Sequence, residues 1–567
     1  MTVGENINWF QDFKTSYVWP QKYFLEYSEK ELINGRNNDI KIPWELSRMH
    51  HFVLLGQGWW ITKNDRYLDE IFKQWESWKD QNPFCYGINW TSTMEVAIRA
   101  VNIICTMHLI EESTILKKYK NNLVNSILEH GTFIEHNLEL GYIGKNISAG
   151  NHFLANMSGL AIIGMTLGNE SKSKNWSKYG INGLEYCMKL MVLEGGLFFE
   201  SSTSYHRFAT ELFLYPLIIG EKYGYQFSES YKKKISKMLN VINQISTPDG
   251  SVPQVGDGDD GRFIILSDYP NWKRHDYTYL LHIGSVFFNK KFKNLKFKFC
   301  NELFWLFPDY LTKNNNFKDD VSLNENVKTK EYGITVIKNN NLKDYILIRS
   351  GAPSSDHPNA HCHNDQLSFE LWLNNLPIVI DSGTGTYTSN INVRNKFRST
   401  SMHNTIMINN NEINYISSKS FFGFKSDSFC KVVNNYENDD YVLLTCERIN
   451  KKTKNPVIHK RTFKYYKLGM LSIKDELIAS DKFFASSFLN FHPSLNPKLQ
   501  SIKGEYIITN LDNFVIQIID ESNCIRNIEI IPNEYSQSYG NIINSKKLKI
   551  DIISDSSSSI NISFKRL

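Results

Sequence analysis

Apolar and polar residues alternate with two different periods along this chain of 567 residues. From about residue 40 to 310, apolar residues recur at spacings of three and four, as in WELSRMHHFVLLGQGWWIT and STMEVAIRAVNIICTMHLI. This periodicity predicts amphipathic helices. Only short polar stretches separate the segments, so neighbouring helices are expected to run antiparallel.

The period of the apolar residues becomes shorter in the last part of the chain. Runs such as YGITVIKN, DYILIRS and YVLLTCERI alternate or are rich in β-branched residues, with turn residues between them, which indicates an antiparallel β-sandwich. A polar stretch rich in Asn, Lys and Asp precedes them. We therefore predict a helical domain at residues 1–315, a linker at 316–332 and a β domain at 333–567.

One predicted hairpin concentrates the chemistry of the β domain. Apolar residues occupy every second position from Leu367 to Leu373, Asn374 and Asn375 can turn the chain, and a second strand follows at 377–380. The flanking residues supply imidazole and carboxylate groups at a density that suits a metal ion or proton transfer. They are His361, His363, Asp365, Asp381 and His403. Taken singly, each could instead be an ordinary surface or core residue.

Two loops interrupt the helical domain. EGGLFFESSTSYHRF sets Glu200 and Tyr205 close together, and TPDGSVPQVGDGDDGR carries Asp257, Asp259 and Asp260. The second loop lacks the twelve-residue calcium pattern with its terminal glutamate, so a solvated turn is the preferred interpretation. In the helix at STMEVAIR, the sequence also fits a capping box of Ser92 with Glu95 and a favourable pair of Glu95 with Arg99.

Composition narrows the function classes. Lys and Arg number 64 against 59 Asp and Glu, and this small excess does not suggest a nucleic-acid binder, although a local basic groove could hold an anionic substrate. The eight cysteines are scattered and are expected to be isolated thiols. We identify neither a secretory signal nor an apolar run long enough to span a membrane. This predicts a cytoplasmic protein, or a periplasmic one if a leader has been removed.

Several motifs in the same order resemble the heparinase II/III superfamily of polysaccharide lyases, including the related alginate lyases, over roughly residues 40–410. They are DIKIPWELSRMHH, GINWTSTMEVAIRAVN, AGNHFLANMSGLAIIG, GGLFFESSTSYHRF, PDGSVPQVGDGDDGR, HCHNDQLSFELWLNNLPIVIDSGTGTY and FRSTSMHNT. The resemblance implies an N-terminal (α/α) toroid followed by an antiparallel β-sandwich, with the active site in the cleft between them. It also implies β-elimination at a uronic acid, in which a base removes the C5 proton and the C4 oxygen leaves. Because that proton is a weak acid, the uronate carboxylate must first be neutralised.

The resemblance also assigns catalytic residues. Asn151 and His152 match the pair that neutralises the substrate carboxylate. Tyr205 matches the tyrosine that protonates the leaving oxygen and serves some substrates as base, and His361 matches its partner base or carboxylate neutraliser. Which of the two is the base stays open. A tyrosine of ordinary pKa, about 10, needs a cationic or hydrogen-bonding neighbour to act as base, and the adjacent His206 and Arg207 could supply one. Asn151 could alternatively cap the helix that follows it.

His363, Asp381 and His403 match a zinc site that is structural and near the reaction centre. With the Asn374-Asn375 turn, Asp381 would lie opposite about residue 368, too far from His363 for shared ligation if the strand stays straight. The zinc hypothesis therefore requires the chain before Asp365 to fold back. Substrate binding is assigned to polar and aromatic residues of the matching motifs, which are Asn89, Trp90, Glu95, Arg99, Arg207 and Arg398.

The predicted function is thus a lyase acting on an acidic, uronate-containing polysaccharide, with a role in surface polysaccharide assembly or turnover. Two alternatives stay open. One is a non-catalytic carbohydrate-binding or scaffold protein of a polysaccharide biosynthesis system. The other is a glycoside hydrolase that uses carboxyl groups of the acidic loop. The sequence names neither the polysaccharide nor the oligomeric state.

Overall fold

The computed structural model describes most of the chain. The described residues are 6–33, 37–143, 146–168, 171–267, 272–292, 295, 298–312, 318–319, 327–329, 333–353, 359–452, 455–502 and 505–567. The predicted linker at 316–332 lies largely outside them, and its described parts are two short strands at 318–319 and 327–329.

Helices occupy the N-terminal half, as predicted. They are α1 (Glu29–Leu32), α2 (Lys41–Ser47), α3 (His50–Thr62), α4 (Arg66–Gln81), α5 (Thr93–Leu109), α6 (Thr114–His136), α7 (Asn151–Leu167), α8 (Ser171–Met191), α9 (Thr203–Lys222), α10 (Glu229–Ile245), α11 (Thr278–Phe288) and α12 (Asn301–Leu306), with α13 (Ile391–Arg398) inserted in the β half. Helices α5, α7 and α9 are buried around most of their circumference, whereas α4 and α10 bury one face. The first three therefore line the interior of the helical half, and the amphipathic helices lie outside them.

Strands dominate the remainder. They are β1 (Leu140–Ile143), β2 (Asn146–Ala149), β3 (Lys290–Lys291), β4 (Lys318–Asp319), β5 (Val327–Thr329), β6 (Ile334–Asn339), β7 (Asp344–Arg349), β8 (Phe369–Leu373), β9 (Leu376–Val379), β10 (Ile406–Ile408), β11 (Tyr415–Ile416), β12 (Phe424–Lys425), β13 (Ser428–Glu437), β14 (Tyr441–Asn450), β15 (Ile458–Tyr466), β16 (Met470–Ile478), β17 (Phe483–Phe491), β18 (Lys498–Ile502), β19 (Glu505–Leu511), β20 (Phe514–Asp520), β21 (Ile525–Ser538), β22 (Asn541–Ser554) and β23 (Ser558–Arg566).

Two antiparallel sheets form the sandwich. The large sheet has the order β21-β22-β17-β9-β8-β7-β6-β5, with β10 also pairing with β17, and the small sheet has the order β13-β14-β15-β16-β23-β20-β19-β18. Side chains from both sheets form one apolar core, to which Ile348 and Leu371 contribute from the large sheet and Phe463 and Ile516 from the small one. Along β15 and β16 buried and half-buried positions alternate, as expected for a sheet with one covered face.

The large sheet is covered on both faces. Every residue of β7 and β8 is buried, and side chains such as Val336 and Leu347 pack into the core of the helical half. The Tyr345 hydroxyl also donates a hydrogen bond of 2.6 Å to the carbonyl of Ile245, at the end of α10. The molecule therefore has a helical layer, a central sheet and an outer sheet, and the predicted fold class is confirmed.

Three local predictions in the helical half are corrected by the structure. Ser92 does not cap α5 with its side chain, and its hydroxyl instead donates to Glu139. Glu95 accepts two hydrogen bonds of 2.7 Å from Arg48, which directly follows α2, so its hydrogen-bond partner is Arg48, and Arg99 interacts with it through charge alone. The N-cap of α7 is Gly150, and Asn151 is the first residue inside the helix, which excludes the capping interpretation of Asn151.

Two predicted absences can be compared with the described part of the chain. None of its helices is both long and apolar enough to cross a membrane. All eight cysteines lie in described segments and none forms a disulfide.

Candidate active site at the junction of the two halves

Tyr205 and His361 meet face to face where the helical half contacts the large sheet. Their ring centroids are 3.7 Å apart and the planes are inclined by 19°. Tyr205 lies in the first turn of α9, where the Ser202 side chain accepts a hydrogen bond of 3.2 Å from its backbone N–H. His361 lies in the connection from β7 to β8. The predicted catalytic tyrosine and histidine therefore come together from the two halves.

Asp257 holds His361 in place. Its fully buried carboxylate accepts hydrogen bonds from His361 Nδ1 at 3.0 Å and His363 Nε2 at 2.9 Å. Arg394 of α13 donates two more, of 3.1 and 2.7 Å, to the same carboxylate. The backbone N–H of Asp257 donates to the carbonyl of His361, and a Cβ on the preceding Gly256, whose φ is +66°, would lie 2.6 Å from that oxygen. Glycine is therefore required at position 256.

The contacts of Asp257 define the tautomers of both histidines. Burial raises the pKa of this carboxyl, but Arg394 and the two imidazoles override it and hold the pKa well below its usual range. An ionised carboxylate only accepts hydrogen bonds, so His361 Nδ1 and His363 Nε2 must each carry a proton. In neutral rings this leaves His361 Nε2 and His363 Nδ1 with free lone pairs.

The Tyr205 hydroxyl has an anionic neighbour. It donates a hydrogen bond of 3.3 Å to Asp259, which also accepts one of 2.9 Å from Lys41. Burial, followed by the charge of Asp259, raises the pKa of Tyr205 well above its usual value, so the phenol is neutral. The suggested activating neighbours are wrong. His206 bonds to Phe198 and Met238, and Arg207 bonds to Glu211 and the Gly261 carbonyl, because both side chains point into the helical core.

Asn151 is anchored by Glu200. Its Nδ2 donates to both carboxylate oxygens of Glu200, at 3.1 and 2.8 Å, and its backbone N–H donates to one of them at 2.9 Å. The amide oxygen of Asn151 is buried and has no partner among the described residues. The same Glu200 lies 3.8 Å from His361 Nε2. Asn151 thus lies near His361 with an unsatisfied acceptor.

His152 pairs with Glu139. His152 Nδ1 lies 2.9 Å from the Glu139 carboxylate, and the His152 side chain remains 45% exposed. Burial lowers the pKa of His152, but Glu139 outweighs it and raises the pKa to about 9. His152 therefore presents a positive charge to solvent at neutral pH.

His363, Asp381 and His403 form a cluster able to hold a metal ion. One ligand atom from each lies within 4.8 Å of the others, and all three residues are buried. His363 Nδ1 and His403 Nε2 have no hydrogen-bond partner among the described residues, and His403 Nδ1 lies 2.6 Å from Asp381. Two imidazoles and a carboxylate with unsatisfied nitrogens fit a zinc ion.

The chain folds back as the zinc hypothesis requires. β8 and β9 pair through Leu373 and Leu376 around a turn in which Asn374 and Asn375 have φ of 53° and 63°. β8 begins only at Phe369. Before it, Leu367 takes a φ of 61° and the Ser368 N–H donates to the Asp365 carbonyl. This turn reverses the chain at the position where a straight strand would have carried His363 away from Asp381.

The residues assigned to substrate binding lie in the interior. Asn89, Trp90 and Arg99 are at most 1% exposed, and Arg99 stacks near Trp78 and Trp90 while it donates to His130 and the Asn89 carbonyl. Asn89 Oδ1 and Arg99 Nη1 have no partner among the described residues, but the other polar atoms named here bond within the helical core, so the structure gives no support for these three as binding residues.

The other three binding candidates also have protein partners. Glu95 and Arg207 are buried and paired with Arg48 and Glu211. Arg398 is fully buried, and its guanidinium donates to the carbonyls of Cys362 and Phe421. Arg398 therefore supports the backbone beside His361 and His363.

The interpretation of the acidic loop as a solvated turn is wrong. Asp257 is 1% exposed, and the Asp259 side chain, 10% exposed, is paired with Lys41. The composition of a loop rich in Gly and Asp does not reveal whether water or basic side chains surround it. Here the basic partners are distant in sequence, since Arg394 lies 137 residues from Asp257 and Lys41 lies 218 residues from Asp259. Tyr387 was also missed, although its ring centroid lies 6.1 Å from that of His361. It lies in the GTGTY motif, where an aromatic residue after glycines was the available signal.

Two family models together match most of the chain. The model described as Heparinase II/III N-terminus matches residues 2–275, and the one described as Heparinase II/III-like, C-terminal, matches residues 324–563. The residues between the two matches include α11 and α12, the last helices before the sandwich.

Similar proteins of known class agree with this match. A heparin-sulfate lyase of Bacteroides stercoris is 23% identical over 544 residues, covering 92% of this chain and 70% of the relative. A heparin-sulfate lyase of Pedobacter heparinus is 22% identical over 423 residues, covering 72% of this chain and 54% of the relative. The chain thus spans about half the length of the second relative.

A solved structure of heparinase III superposes with a TM-score of 0.74 at 16% identity, covering 99% of this chain and 83% of the other. A helical half joined to an antiparallel sandwich is thus the architecture that the chain shares with a polysaccharide lyase. The chain belongs to the heparinase II/III superfamily.

Proposed function

We propose that this protein cleaves a uronic-acid-containing polysaccharide by β-elimination at the junction of its two halves. The observation that carries the proposal is the stacked pair of Tyr205 and His361, in which Asp257 fixes the proton on His361 Nδ1. The pair therefore combines one nitrogen with a free lone pair and one neutral phenol. These are the base and the acid that an elimination needs.

In the proposed reaction, His361 Nε2 removes the C5 proton of the uronate. The electron pair of the C5–H bond forms the C4=C5 double bond, the C4–O bond breaks, and Tyr205 donates its proton to the leaving oxygen. This assignment of roles follows from Tyr205, since burial and Asp259 favour its neutral form over the phenolate. The resulting imidazolium lies beside Asp257, whose charge stabilises it.

The uronate carboxylate needs a positive or hydrogen-bonding partner as charge develops on it. His152 supplies a positive charge that its pairing with Glu139 maintains at neutral pH. Asn151 lies next to His361 and can donate to the same carboxylate only through Nδ2, which also bonds Glu200, because its unpartnered Oδ1 can only accept a hydrogen bond. These are the roles that the family resemblance implies for the two residues.

A zinc ion held by His363, Asp381 and His403 is proposed as a structural element. When bound, it would supply three strong bonds that fix the fold-back before β8. His363 shares Asp257 with His361, so ordering of His363 also orders the proposed base. No step of the elimination needs the metal to contact substrate.

A hydrolase is disfavoured by the state of the acidic loop. Hydrolysis needs one protonated carboxyl as acid and one free carboxylate, but Asp257 and Asp259 are engaged by Arg394 and Lys41. Burial raises the pKa of each, and these cations override it and lower both pKa values. Neither is available as a general acid.

The test is incubation with a panel of acidic polysaccharides, beginning with heparan-type glycosaminoglycans and including alginate. An eliminating enzyme produces ultraviolet absorbance from the new C4=C5 double bond conjugated to the carboxylate. A hydrolase releases reducing ends without it, and a scaffold protein binds without cleaving. Reducing ends without absorbance, or binding alone across the panel, would refute the proposed reaction.

A further inference from the structure

We propose that the hairpin of β11 and β12, residues 415–425, forms a wall of the substrate cleft, and that the Phe422 ring contacts the sugar next to the reacting uronate. This inference rests on the proposed function, because it concerns the same cleft. It adds a binding residue that neither the motifs nor the catalytic geometry assigned.

Accessibility singles out Phe422. Among the described residues, three aromatic rings contact or closely approach His361, namely those of Tyr205, Tyr387 and Phe422. Tyr205 and Tyr387 are 6% and 3% exposed, whereas Phe422 is 37% exposed with its centroid 6.0 Å from that of His361. A ligand that reaches His361 can therefore touch the Phe422 ring, which exposes far more of its surface than the other two rings.

The hairpin is fixed to the catalytic residues although its strands are short. The carbonyl of Phe421 accepts hydrogen bonds from Arg394 Nε and, at 3.0 Å, from Arg398 Nη1. Arg394 also binds Asp257, and its guanidinium lies 4.9 Å from the Phe422 centroid. One guanidinium thus holds both the carboxylate that orients His361 and the loop that carries Phe422.

The chemistry of the hairpin suits a chain of acidic sugars. An aromatic face offers a large apolar area to the C–H groups of a sugar ring, and aromatic side chains commonly line ligand sites for this reason. Lys419 and Lys425 are exposed on the same hairpin. Their positive charges would attract a polyanion toward the ring.

Steady-state kinetics on the polysaccharide that the wild-type protein cleaves tests the wall. Phe422→Ala should raise KM about two- to tenfold, a range equivalent to the energy of one aromatic contact, with kcat unchanged. A contact made equally in the ground and transition states changes KM alone. Phe422→Tyr keeps the ring and should behave like the wild type.

Phe429→Ala is the matched control, because Phe429 is 47% exposed on β13 at the edge of the small sheet. An unchanged KM in Phe422→Ala, or an equal rise of KM in Phe429→Ala, would overturn the proposal that this hairpin contacts the substrate. A fall in kcat with constant KM would also overturn it, since Phe422 would then act by supporting His361.

Affinity electrophoresis in gels containing the polysaccharide measures binding without turnover. The wall predicts that wild-type protein is retarded and that Phe422→Ala is retarded less. If the wild type binds but does not eliminate, the proposed reaction fails and the wall is still tested. If Phe422→Ala is retarded like the wild type, the wall fails while the reaction stands. A wild type that neither cleaves nor is retarded refutes both.

Discussion

Substitution of Asp257 by Asn would test the central electrostatic feature of the site. The side chain keeps its shape, but one acceptor oxygen becomes an NH₂ donor and the negative charge is lost. Each carboxylate oxygen now serves one imidazole and one Arg394 nitrogen. Whichever way the amide is oriented, its NH₂ group faces an arginine donor and a histidine nitrogen that must switch from donor to acceptor.

Two consequences follow, with different magnitudes. If His361 Nδ1 becomes the acceptor, its proton moves to Nε2 and the general base is lost, which lowers kcat by about 10²–10⁴. If His363 Nε2 becomes the acceptor, Nδ1 is protonated and cannot bind zinc. In both orientations Arg394, itself fully buried, loses its anionic partner. Such a loss costs roughly 3–5 kcal/mol of folding free energy.

The assay combines double-bond kinetics, zinc content by mass spectrometry and denaturant unfolding. We expect Asp257→Asn to lose at least two orders of magnitude in kcat, or its zinc, and to unfold at lower denaturant. Asp260→Asn is the control, since Asp260 lies in the same loop with φ of 57° but accepts only the Tyr539 N–H among the described contacts. A folded, zinc-loaded Asp257→Asn protein with wild-type kcat would refute the reasoning, as would an equal loss in Asp260→Asn.

Three further predictions concern the acid, the carboxylate neutraliser and the metal. Tyr205→Phe removes one hydroxyl and should lower kcat by about 10²–10⁴ with the fold intact, and a folded variant that turns over normally would exclude Tyr205 as proton donor. Glu139→Gln should move the basic limb of the kcat/KM profile from near pH 9, the raised pKa of His152, toward the ordinary histidine value of about 6.5. The limb moves down because the Glu139 carboxylate stabilises protonated His152, and its loss lets the imidazole lose its proton at lower pH. The same raised pKa contributes to folding stability in full below about pH 6.5, and this contribution is lost as the pH rises through about 9. An unshifted limb would contradict the pairing. His403→Ala should abolish zinc binding and lower the thermal midpoint as well as activity, and metal analysis showing no zinc in purified wild-type protein would contradict the zinc proposal.

The sequence predicted the elements whose patterns are local. The period-two run before Asn374 predicted a strand and the periods of α5 and α7 predicted helices, and the structure has these elements, but all three are buried on nearly every side, so their patterns did not mark an exposed face. The same patterns do not say whether a polar residue inside a helix faces a ligand or another helix. Arg99 shows this limit, since its motif suggested a cleft and its guanidinium is fully enclosed.

Asp257 shows a second limit. Its role depends on Arg394, His361 and His363, and the nearest of these is 104 residues away in sequence. Loop composition carries no information about such partners. A resemblance in motifs could assign His361 and Tyr205, but the carboxylate that orients His361 emerged only from the packing of the helical half on the large sheet.

Asp257 belongs to the helical half but bonds to His361, His363 and Arg394 of the β half, and these bonds limit how the two halves can be exchanged in evolution. Helical and β parts are matched by separate family models, which could invite the exchange of one part between relatives. A recombinant of that kind would have the residue equivalent to Tyr205 from one parent and the residue equivalent to His361 from the other. It would still lack an oriented base unless both parents placed the same carboxylate against the same arginine. The two halves must therefore be inherited together for this chemistry, and a recombinant of two unrelated parents would fail first at the contacts between them.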